Sequence, residues 1–124
     1  MELSSKIIDA LLAADSKALA TIGPQGLNVV PVSTIRIVDG KVLLINYFFK
    51  KTLNNLRAQP QASLVAWKGF DGYQVRAKVA YVESGPDFTE AQAWVAGMLP
   101  GRIVKGLLIL TPTEVFDISP AAAG

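Results

Sequence analysis

The chain has 124 residues, 51% of them apolar, with twelve basic and ten acidic side chains and a net charge of +2. That length suits one ordinary domain with ample material for a core, and the near-balance of charge gives no argument for nucleic acid or an anionic membrane as partner. There is no cysteine and no histidine, which excludes disulfides, thiolate nucleophiles, iron–sulfur clusters, a Ser–His–Asp triad and the imidazole ligands of zinc and haem.

Leu3, Ile7, Ile8, Leu11 and Leu12 recur at helical spacing, which predicts an amphipathic helix ending around Asp15–Lys17. "ALATI" (18–22) reads as a short strand, and "GPQG" (23–26) supplies turn chemistry. "LNVVPVSTIRIV" (27–38) is one long β-branched stretch in which Pro31, unable to donate to a ladder, marks an edge, bulge or bend. Asp39–Gly40 is a type I′ hairpin signal between "STIRIV" and "KVLLIN". A short helix is expected over Thr52–Gln59, stopped by Pro60.

"ASLVAW" (62–67) and "YQVRAKVAYVES" (73–84) predict two further strands around a "KGFDG" turn. A second amphipathic helix is expected from about Asp87 to Leu99, with Phe88, Ala91, Trp94, Val95 and Met98 on one side. The last stretch, 102–120, gives one or two strands, broken or bulged at Pro112. Strands outnumber helices and come in hairpins, so the expected fold is α+β: a small antiparallel split β-barrel of about six strands with two or three flanking helices, a single domain over residues 1–124. No apolar run reaches the roughly 18 to 20 residues that span a bilayer, and the N-terminal segment lacks a continuous apolar stretch. A soluble, cytoplasmic protein is expected.

Chemistry concentrates in "INYFFKKT" (45–52). A threonine at a helix start can cap through its hydroxyl, and the first-turn N–H groups and the helix dipole favour an anion. Acidic residues would complement that end, whereas Lys50 and Lys51 oppose it unless an anion visits. Read by themselves, the same lysines are compatible with solvated loop charge. Trp67 and Trp94 read as core or interface aromatics, and Arg76 and Lys78 as solvated or edge-protecting charges. No paired carboxylates are arranged for acid–base work, and no metal site is expected.

The stretch "VLLINYFFKKTLNNLRAQPQASL", together with "LATIGPQGLNVVPVSTIRIVDG", "DGYQVRAKVAYV" and "LLILTPTEVFDISP", resembles the FMN-binding split-barrel family, the pyridoxamine 5'-phosphate oxidase-like proteins, over roughly residues 5–120. The likeness is to the small single-domain FMN-binding members. It implies non-covalent FMN at a homodimer interface and oxidoreductase or electron-transfer chemistry carried by the flavin. Lys50, Lys51 and Thr52 would hold the phosphate, Val30, Pro31, Val32 and Ser33 would run alongside the flavin, and Asn46, Tyr47, Phe48 and Phe49 would edge its ring. Gln74 matches a polar strand position facing the cofactor region, and Trp94 and Arg102 would cover the flavin of the other subunit. The oxidase's arginine-rich phosphate cradle is thinner here and its substrate-contacting C-terminal extension has no match, so pyridoxamine phosphate oxidation is not expected. Haem-handling relatives rely on histidine, which this chain lacks. A deazaflavin user, a non-enzymatic flavin carrier and a cofactor-free binding module are the alternatives.

Overall fold

Seven antiparallel strands form one sheet in the order β2-β1-β5-β6-β7-β4-β3 in the computed structural model, which describes residues 1–122. The strands are β1 (Ser16–Gly23), β2 (Gly26–Pro31), β3 (Ile35–Val38), β4 (Lys41–Asn46), β5 (Gln61–Lys68), β6 (Asp71–Val82) and β7 (Gly106–Asp117). Three α-helices accompany them among the described residues: α1 (Ser5–Ala13), α2 (Lys51–Ala58) and α3 (Pro86–Met98). The α+β split barrel expected from the sequence is the fold observed, with seven strands where about six were expected. The last two residues of the expected domain, Ala123 and Gly124, lie outside the described residues.

The extra strand comes from the stretch 27–38, which divides into β2 and β3 on opposite edges of the sheet. Laid flat, seven strands would hold those edges roughly 29 Å apart. Only Val32, Ser33 and Thr34 connect them, and the four Cα–Cα steps from Pro31 to Ile35 reach at most roughly 13–14 Å. The sheet therefore curls until its edges meet, and Pro31 ends the edge strand β2 where no ladder donor is required. The Val32 N–H carries the β2–β1 pairing one step further by donating to the Lys17 carbonyl at 3.0 Å.

Alternation along the strands decides what fills the barrel. Leu19, Val42, Leu44, Leu64, Val75, Leu108 and Leu110 point inward and are fully buried. Helix α1, capped by Ser4 accepting from the Ile7 N–H, closes one end with the buried Leu11. It ends at Ala13, earlier than expected, because Ser16 and Lys17 already belong to β1. On the outside, Ile45, Tyr47 and Leu107 form a second cluster under Ala91 and Val95 of α3. Pro112 leaves β7 continuous: Ala77 pairs with Pro112 and Arg76 with Glu114, so Thr113 is the extra residue of a bulge, with its hydroxyl donating to the Arg76 carbonyl.

Candidate functional site

The loop after β4 is fixed by Asn46, the last inward-facing residue of that strand and 1% exposed. Its Nδ2 donates to the Tyr81 hydroxyl at 2.9 Å, and its Oδ1 accepts from the Phe49 N–H at 2.7 Å. Its carbonyl accepts from the Lys105 N–H at 2.9 Å, drawing the α3–β7 connection against the same loop. Asn46 is thus a positioning residue for Tyr47, Phe48 and Phe49, with its own amide committed to the protein.

Those loop residues face the β2–β3 connector across a cleft of about 390 Å³. Pro31, Val32, Ser33 and Thr34 form one side; Ile45, Tyr47, Phe48 and Phe49 form the other, and Arg102 reaches in from the α3–β7 connection. The volume is at the small end of the range for ligand pockets, and most of the wall is apolar or aromatic. Phe48 is 74% exposed at the rim, its ring tilted 47° to that of Tyr47. The Arg102 guanidinium carbon lies 4.8 Å from the centre of the Tyr47 ring.

Tyr47 is 7% exposed, and its hydroxyl is buried with no hydrogen-bond partner. Burial pushes its pKa up, opposed by the nearby charge of Arg102, so at neutral pH the hydroxyl is a protonated donor. An orphaned buried hydroxyl costs about 1–3 kcal/mol, and an acceptor on a bound molecule would relieve it.

Helix α2 begins beside this cleft, its first residues following Phe49 directly. Lys50 occupies the cap position without a side-chain cap, and the first turn holds no acidic residue. Both lysines are exposed, and neither is ion-paired among the described residues, where the one salt bridge is Arg76–Glu114. Uncapped N–H groups and two unpaired ammonium groups are chemically suited to receiving an anion. The expectation that Thr52 caps the helix is corrected: it lies inside the first turn, 1% exposed, its hydroxyl accepting from Asn28 Nδ2 at 2.9 Å. That bond turns the hydroxyl toward the β1–β2 hairpin.

The remaining expected residues are spread out. Val30 packs against the barrel core. Gln74 lies on the outer face of β6 and donates to the Ser63 hydroxyl at 2.8 Å, next to a surface trough that includes Ile22, Leu27, Ser63 and Arg76. Trp94 sits in a separate small cavity under α3, with the Arg36 guanidinium 5.6 Å from its ring centre. Of the two residues expected to act across subunits, only Arg102 lines the cleft between the β2–β3 connector and the β4–α2 loop.

Sequence reasoning missed the polar anchor of α2. Asn55, 0% exposed, donates through Nδ2 to the Thr21 hydroxyl and the Gly26 carbonyl, and accepts from the Gln25 N–H at 2.8 Å. Gly23 makes room for it, since a Cβ there would lie 2.9 Å from the Asn55 Cα. Asn28, an inward-pointing polar residue between two outward apolar ones, was the available signal that α2 meets the hairpin through polar groups, its own partner there being Thr52.

An apolar cleft opening beside an uncapped, lysine-bearing helix start can take a flat apolar body with an anionic tail. Fold and family model together define a split-barrel protein of the pyridoxamine 5'-phosphate oxidase-like class. The chain belongs to the pyridoxamine 5'-phosphate oxidase family, whose model matches residues 4–122. An uncharacterized protein of Methanocaldococcus jannaschii is 27% identical over 105 residues, 81% of this chain and 70% of that protein. Among solved structures, HupZ of Group A Streptococcus superposes with a TM-score of 0.84 at 16% identity, covering 95% of each chain. An FMN-binding protein from Syntrophomonas wolfei superposes with a TM-score of 0.78 at 14% identity, covering 92% of this chain and 87% of that one. At such identities these two structures bear on the fold alone.

Proposed function

We propose that the protein binds FMN non-covalently, ring in the cleft between the β2–β3 connector and the β4–α2 loop, phosphate at Lys50, Lys51 and the start of α2. The observation that carries this is the junction of an apolar, aromatic-edged cleft with a helix start whose two lysines have no acidic partner among the described residues. When bound, the flavin supplies electron or hydride transfer. The chain's part is to hold the phosphate, wedge the ring between Pro31–Ser33 and Phe48–Phe49, and offer the Tyr47 hydroxyl and Arg102 to its polar edge. With no histidine or cysteine, the chain is suited to oxidoreduction or electron transfer through the flavin.

The working unit on this reading is a homodimer. Leu27 (86% exposed) lies directly across from Ile22 (50%) on the outer face of the β1–β2 hairpin, with Val29 (67%) next along β2. An apolar face of paired strands is what a second copy would cover.

The test is the visible absorption spectrum of the purified protein after incubation with excess FMN and gel filtration. Close to one FMN retained per chain supports the reading. Retention of a deazaflavin but not FMN would move the ring identity while leaving the phosphate seat in place, and retention of neither would end the cofactor reading.

A further inference from the structure

Among the nine residues around the cleft, Arg102 carries the one formal charge. Its placement is built. The Arg102 N–H donates to the Leu99 carbonyl at 3.1 Å, and three residues on, the Lys105 N–H is tied to the Asn46 carbonyl. The guanidinium then rests 4.8 Å from the centre of the Tyr47 ring. An aromatic face holds a cation in place without cancelling its charge, as a carboxylate would. No carboxylate pairs with Arg102 among the described residues, and a guanidinium stays charged at every physiological pH. Beside it lies the buried Tyr47 hydroxyl, a second positive-ended group.

We propose that Arg102, seated on Tyr47, makes the cleft bind the negatively charged state of a planar ligand more tightly than its neutral state. The inference rests on the flavin reading, under which the charged state is the reduced ring, formed by uptake of two electrons and one proton. Lys50 and Lys51 face the phosphate, whose charge is the same in both states, so they strengthen binding uniformly. A charge beside the ring binds one state better than the other, and only such a difference shifts the equilibrium between them. Arg102 therefore shifts the bound ring toward its reduced state.

The test compares dissociation constants for oxidised FMN and for FMN reduced anaerobically with dithionite, in the wild type, Arg102→Gln and Tyr47→Leu. Because Arg102 is exposed, its preference is the size of an exposed charge pair: Arg102→Gln should lower the preference for reduced over oxidised FMN roughly two- to fivefold. That corresponds to a midpoint potential about 10–20 mV lower. Tyr47→Leu, which removes the aromatic seat, should act in the same direction, with circular dichroism reporting whether the fold is kept. Arg102→Lys should restore part of the preference. If Arg102→Gln weakens both forms equally, or neither, the inference fails and the flavin reading stands. If the wild type retains no FMN, the flavin reading fails and takes the inference with it.

Discussion

Asn46 on β4 and Tyr81 on β6 are joined side chain to side chain at 2.9 Å although β7 runs between their strands. The bond crosses β7 at Gly106, where any Cβ would collide with the Tyr81 ring and hydroxyl. One glycine thus lets the far strand steady the loop that forms the cleft.

Asn46→Ala is expected to cost about 1–3 kcal/mol, because the Tyr81 hydroxyl loses its partner and the Phe49 N–H its acceptor. Urea unfolding measures the loss. FMN affinity should fall with it, since the loop that Asn46 fixes carries three cleft residues, Tyr47, Phe48 and Phe49.

Lys51→Ala should leave stability within about 0.5 kcal/mol of wild type, as an exposed residue outside any ion pair. FMN binding should weaken by about 1–3 kcal/mol, the worth of a charge-assisted hydrogen bond. Isothermal titration with FMN and with riboflavin separates the phosphate from the ring: the variant's riboflavin affinity should match that of wild type.

Tyr47→Phe should stabilise the unliganded protein by about 1–3 kcal/mol, because it removes a buried hydroxyl with no partner. It should also change the alkaline limb of the stability profile. Burial raises the folded-state pKa above the ordinary value near 10, so in that window the native state holds a proton that the unfolded chain has released. Stability contributed by Tyr47 is therefore fully present below pH 10 and declines as pH rises through the folded pKa. The variant should show a shallower decline there in denaturant titrations.

Gly23→Ala should destabilise by about 1–3 kcal/mol, because the new methyl would meet Asn55 at 2.8 Å from Oδ1 and 2.9 Å from Cα, against helix backbone that cannot give way cheaply. Thermal unfolding, read against a Gly97→Ala control where nothing lies near the new methyl, isolates the steric cause.

Leu27→Asp is expected to yield monomers in sedimentation velocity, with the far-ultraviolet spectrum unchanged, because an 86% exposed side chain contributes little to the isolated fold. A wild type already monomeric at tens of micromolar would refute the dimer.

The sequence by itself determined the elements and their inward faces. Period-two alternation in β5 and β6, the Asp39–Gly40 turn and the helical spacing of α1 are local patterns, and burial of one face enforces them. It also marked the β4–α2 loop and its lysines, since an opposed helix dipole is a local conflict visible in composition alone. Only the tertiary structure decided the rest. That 27–38 breaks into two edge strands follows from sheet closure, a constraint on strands far apart in sequence. That Thr52 serves Asn28 and not the helix end, that Asn55 anchors α2 and that Arg102 lies on Tyr47 each depend on pairs 24 to 55 residues apart, brought together only by closure. Periodicity reports which face of an element is buried; it carries no record of which distant polar group waits on the other side.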